Sequence, residues 1–100
     1  MTETEGKKYA VFSHVWHDPW EQKEISREYR LARPGRDDVN RFNKEVQKSP
    51  ATAQQNLVMA LIHPEDKAGC LADLEQYPGL LVTLASGLLK ASGLSGDLGN

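Results

Sequence analysis

A single cysteine, Cys70, stands among the 100 residues, so no disulfide can close within the chain. That scarcity excludes the stapled secreted scaffolds and fits a reducing compartment. Long apolar runs are missing too. The greasiest stretch, residues 79–89, is about half the roughly 20 residues that a bilayer crossing needs. The opening MTETEGKK has no apolar core of the kind a secretory signal carries, so a soluble, intracellular protein without a membrane partner is expected. Charge of one sign is also lacking. The net charge is −2, with 10 Lys/Arg against 9 Asp/Glu in residues 1–50 and 2 against 5 in residues 51–100. Neither half has the cationic excess of a general nucleic-acid binder.

Catalytic and metal-binding sets are sparse as well. His14, His17 and Asp18 come nearest to a metal cluster, and His63 is the only other histidine. Ligands three apart along a strand and its end do not converge, so no metal is expected. Cys70 is paired with no obvious base, and the inward side of a short helix suits it as a small apolar residue. The pairs Asp37/Asp38 and Glu65/Asp66 sit where helices begin, and there they answer the helix dipole. No phosphate-cradling glycine loop is found. The expectation is a protein with no catalytic residues and no cofactor.

What is present reads as strand first and helix after. Residues 8–16, KYAVFSHVW, are rich in β-branched and aromatic side chains. Both of their faces carry apolar groups, which predicts a strand that is central or covered by helices. HDPW at 17–20 reads as a turn. Residues 23–32 alternate, with Ile25, Tyr29 and Leu31 on one face beside Arg27. An antiparallel hairpin is the simplest pairing, and alone it would be marginal in water.

The stretch RPGRDDVNRFNKEVQK then has an intact helix start, with Gly35 or Arg36 as N-cap and Asp37 and Asp38 in the first turn. Val39, Phe42 and Val46 give it one apolar stripe. Ser49-Pro50 opens a second helix with Ala53, Leu57, Ala60 and Leu61 inward, widened by Val58 and Ile62. A third holds Cys70, Leu71 and Leu74 inward and is weakened by Gly69. Tyr77-Pro78 opens a fourth, built on Leu80, Leu81, Leu84, Ala85, Leu88 and Leu89, and Ser92-Gly93 closes it. The fold class expected is α+β: a hairpin at about 8–16 and 23–32, then helices at about 36–48, 50–62, 65–76 and 78–91 in a small bundle. One domain would span 8–92 between flexible ends at 1–7 and 93–100.

Function is then expected through surfaces. Trp16 and Trp20 flank the turn, where exposed tryptophans suit a protein partner and folded-back ones suit the hairpin's inner face. Adjacent leucines at 80/81 and 88/89 cannot share a narrow stripe, which hints at a groove or a self-association face. The candidate partner-binding residues are Trp20, Phe42, Leu81, Leu84 and Leu88. Arg27, Arg30, Arg33, Arg36 and Arg41 form the densest cationic cluster, but Glu24, Glu28, Asp37 and Asp38 interleave it, so a salt-bridged face is expected.

Arg33-Pro34, Asp38, Arg41-Phe42, Asn56-Leu57-Val58, Pro64 and Tyr77-Pro78-Gly79-Leu80 together form a pattern over roughly residues 24–93. In this the chain resembles small phage and prophage tail assembly chaperones. It departs from them at Gly35, where Ser or Thr is frequent, and in the aromatic strand before residue 20. The resemblance implies a non-enzymatic protein of tail morphogenesis in the cytoplasm of an infected or lysogenic bacterium. It would bind the tape-measure protein, help recruit tail-tube subunits, and be absent from the mature virion. Two other readings stay open: a regulatory module of antitoxin or anti-host kind, and a nucleic-acid binder acting through the Arg27–Arg41 cluster.

Overall fold

A computed structural model describes residues 8–93. The expected loose ends at 1–7 and 93–100 fall, Gly93 apart, outside the described residues. Two strands, β1 (Tyr9–Asp18) and β2 (Lys23–Ala32), form an antiparallel hairpin. Four helices follow: α1 (Arg36–Val46), α2 (Pro50–Leu61), α3 (Pro64–Gln76) and α4 (Gly79–Ala91). The architecture is the α+β one expected, with the first strand longer. Asp18 pairs with Lys23, so β1 runs through His17 and Asp18, and the loop is residues 19–22. Gln22, at φ 57°, supplies the left-handed step that turns the chain back.

The sheet has two strands and helices on one side only. Phe12, His14 and Trp16 turn inward and are half-buried, whereas Val11 and Val15 are 61% and 60% exposed. The expectation of a central or doubly covered β1 is therefore corrected. Its outward valines meet no helix. On β2 the alternation holds: Ile25, Tyr29 and Leu31 are buried. Tyr29 and Leu31 join Leu57, Val58, Leu61 and Ile62, Cys70, and Leu80, Leu84, Ala85 and Leu88 in one core.

Each helix starts where the sequence punctuates it. Gly35 caps α1, and Asp38 Oδ2 accepts the Gly35 N–H at 2.8 Å, half of a capping box. Ser49 Oγ accepts the Thr52 N–H at 3.3 Å, with Pro50 at the first helical position of α2. His63 Nδ1 accepts the Glu65 N–H at 3.1 Å and starts α3 at Pro64. Gly93, at φ 107°, ends α4 in the left-handed conformation the sequence calls for.

Three inward assignments are corrected. No residue of α1 is buried, so the helix with the clearest start signal is peripheral, its Val39, Phe42 and Val46 stripe half-covered. Ala60 is exposed on α2, and Leu71 is 37% exposed on α3. Cys70 alone on α3 is buried. Burial pushes its thiol up to about 11, which keeps it protonated at neutral pH. None of the described helices is long and apolar enough to cross a membrane.

A candidate partner-binding groove at the hairpin tip

Asp18 organises the tip. Its Oδ1 accepts the N–H groups of Trp20 at 3.0 Å and Glu21 at 3.1 Å, closing the loop as an Asx turn. Its Oδ2 accepts the Tyr77 hydroxyl at 2.9 Å and so ties the tip to the corner between α3 and α4. The carboxylate is 6% exposed. The Glu21 N–H bond holds it below the usual carboxylate range against the opposing effect of burial, with Tyr77 and Trp20 helping. Burial, with the bond to Asp18, raises Tyr77 in turn. Trp16 meets the Tyr77 ring edge-on at a centroid distance of 5.0 Å and 76°.

Between the tip and this corner lies a groove of about 650 Å³, walled by Trp16, Trp20, Tyr77, Pro78, Leu80 and Thr83. That size and a mostly apolar lining with three aromatic side chains are those of a binding site. Leu80 is buried and forms the floor, while Trp20 stands 88% exposed at the rim. His14 also borders the groove, and its Nε2 is buried with no hydrogen-bond partner among the described residues. Also among the described residues, no three of His, Cys, Asp and Glu gather as a metal site would require.

The expected partner-binding residues divide. Trp20 lies on the groove. Leu84 and Leu88 are fully buried and cannot meet a partner, which corrects their assignment: they form the inward ridge of α4. Phe42 and Leu81 are half-buried against the core and do not border the groove. Of the motif residues, Tyr77, Pro78 and Gly79 line it. Arg33 is exposed and Pro34 buried near the hairpin base. Asp38 receives Arg41 at 3.1 Å, and Asn56 donates to Glu45 at 3.1 Å, both serving local structure. Sequence reasoning missed Asp18 and Thr83 at the site; Trp16 it weighed as one of the two tryptophans flanking the turn, and Leu80 it placed on the apolar side of the fourth helix. For Asp18 the signal was there, since Asp-Pro in a turn is an Asx-turn pattern.

The arginine cluster does not assemble as one surface. Arg27 Nε pairs with Asp73 at 3.1 Å, and Arg30 with Asp66 at 2.8 Å and Glu65 at 3.2 Å. Their carboxylates come from α3, not from the neighbouring acids that the sequence interleaves. Asp66 and Asp73 are seven apart on one face of α3, and Asp73 also accepts the Tyr29 hydroxyl at 2.6 Å. Burial, then that bond, raises Tyr29 far above its ordinary value.

Fold and groove together define a small α+β module, a hairpin clamped by polar contacts onto four helices. By sequence it belongs to the family described as Domain of unknown function (DUF6848), which matches residues 2–99. It is similar to the solved structure of uncharacterised protein rbstp2171 from Bacillus stearothermophilus, at 30% identity and a TM-score of 0.68. That likeness covers 87% of this chain and 84% of the other. No curated protein matches the chain.

Proposed function

We propose that the chain is a non-enzymatic phage or prophage tail assembly chaperone, which holds an apolar helix of the tape-measure protein in the groove at the hairpin tip. The observation that carries this reading is Trp20. It is 88% exposed, yet the two N–H bonds to Asp18 fix the loop that bears it. A preset aromatic anchor gives large contact area at little ordering cost. The apolar stripe of a helical client suits a shallow aromatic groove, in the manner of helix-in-groove recognition. The sequence resemblance supplies the identity of the client, and tail-tube subunits would be recruited through that complex. The protein would act in the bacterial cytoplasm and be missing from finished particles.

Co-expression with the tape-measure protein of the same phage tests this directly. A soluble complex is expected, and Trp20→Ala should weaken it by about 2 kcal/mol, roughly thirtyfold in Kd. A tape-measure protein that stays insoluble beside well-folded chaperone, or a complex indifferent to Trp20→Ala, overturns the reading.

A further inference from the structure

We propose that two copies of this chain join edge to edge along β1, antiparallel about a two-fold axis through Ser13, to make one four-stranded sheet. A lone hairpin has two edges with unpaired main-chain groups, and such edges invite another strand. The β2 edge is already served at its Arg30 end. Leu31 bridges Ile62, the His63 N–H donates to the Arg30 carbonyl at 2.9 Å, and the Arg30 N–H donates to Asp66 at 2.8 Å. The β1 edge meets no such partner among the described residues.

The register follows from Arg30. Its N–H and C=O both point away from β1, and Val11 is its cross-strand partner. In an antiparallel ladder such a pair has both residues' main-chain groups turned outward, and the pattern alternates. Tyr9, Val11, Ser13, Val15 and His17 therefore direct their N–H and C=O groups to the open edge. An axis at Ser13 sets Val11 against the partner's Val15, Tyr9 against the partner's His17, and Ser13 against itself. Every one of these outward groups then meets its complement. On the sheet's uncovered face, the exposed valines pair with each other across a small serine, as a Val-x-Ser-x-Val palindrome allows.

Charge favours a second copy in this orientation. Lys8 and Arg33 border one cleft at the hairpin base, whereas Glu21 and Glu24 stand exposed at the tip and outnumber Lys23 between them. Antiparallel pairing brings each cationic base beside the anionic tip of the other copy. A parallel arrangement would stack like with like. An isologous contact of this kind closes on itself and does not propagate. It does not rest on the client-binding proposal, although Ser13 and Val15 of this edge also border the groove, and the cross-linking test below needs no client.

Cross-linking of single-cysteine additions to the full chain tests the axis, since native Cys70 is buried and does not compete. In the proposed pair the two Ser13 Cα atoms lie about 5.5 Å apart, within disulfide range. The two Val11 Cα atoms lie four residues out of register, about 13 Å apart. Under mild oxidation Ser13→Cys should give at least tenfold more reducible dimer than Val11→Cys, and an equal mixture of Val11→Cys and Val15→Cys should cross-link to each other. The unmodified chain should sediment as a concentration-dependent dimer, and a Val11→Lys/Val15→Lys variant as a monomer with unchanged circular dichroism. Equal cross-linking of Ser13→Cys and Val11→Cys, or a monomer at high micromolar concentration in the unmodified chain, overturns the proposal. Should the lysine variant fail to fold, the cysteine comparison decides alone.

Discussion

At the scale of single residues, the hairpin is fastened to the helices by carboxylates. Asp66 accepts from the main chain of Arg30 at 2.8 Å and from its guanidinium at 3.0 and 2.8 Å. The Arg30 hydrogen bonds hold its carboxyl at about 2, below an ordinary 3.8, in spite of partial burial. A carboxyl that takes up its proton less readily when folded contributes stability above its unfolded pKa, and loses it as pH falls through the folded value. The window for Asp66 therefore runs from about 3.8 down to about 2. Asp18, shifted in the same direction, adds to the loss at acid pH. Thermal melts should be flat from neutral pH to near the top of that window and fall steeply within it. Asp66→Asn should lower the plateau by about 1 kcal/mol and flatten the acid fall. An acid profile identical in the two proteins would show that Asp66 is not the group responsible.

At the scale of elements, α3 carries Asp66 and Asp73, which hold Arg30 and Arg27 of the hairpin, while burying little. Cys70 is its one buried residue, so its own helical propensity counts for more than in α4. Gly69 lies in its interior, and a methyl group there would meet nothing within 4 Å. Gly69→Ala should raise stability by about 0.5–1 kcal/mol, seen as a rise in Tm of several degrees. Gly87 in α4 is different, because an added methyl would lie 3.4 Å from the Phe12 ring that packs there. Element boundaries were legible because the chain punctuates itself: Ser49-Pro50, His63-Pro64, Tyr77-Pro78 and Ser92-Gly93 all fall at helix ends. The hairpin was legible from the alternation of β2. Less legible was which face of each element is covered. Val11 and Val15 read as well as Phe12 does for burial, and only the placement of the helices on one side separates them. Arg30 and Asp66 are 36 residues apart, and no local pattern links them.

At the scale of the molecule, the same leucine-rich composition serves two ends, and the five expected partner-binding residues show where they part. Leu84 and Leu88 are fully buried between α4 and the rest of the core, whereas Trp20 rests on the Asp18 turn in contact with solvent. Truncation should therefore separate stability from binding. Leu84→Ala leaves a cavity that the surrounding ring of core side chains cannot fill, and should cost about 2–5 kcal/mol. Trp20→Ala removes an exposed side chain and should change stability by about 0.5 kcal/mol or less. Asp18→Ala stands between them: the core is untouched, but the loop loses both of its anchoring bonds and its tie to Tyr77. Its Trp20 and Glu21 amides should exchange with solvent faster, the emission of Trp16 against Tyr77 should shift, and client capture should drop although Trp20 is still present. Retained capture in Asp18→Ala would mean that the position of Trp20 is irrelevant to recognition. Unfolding curves of the three variants, set beside their capture of the tape-measure helix, distinguish a groove that is prepared in advance from one that the client shapes on arrival.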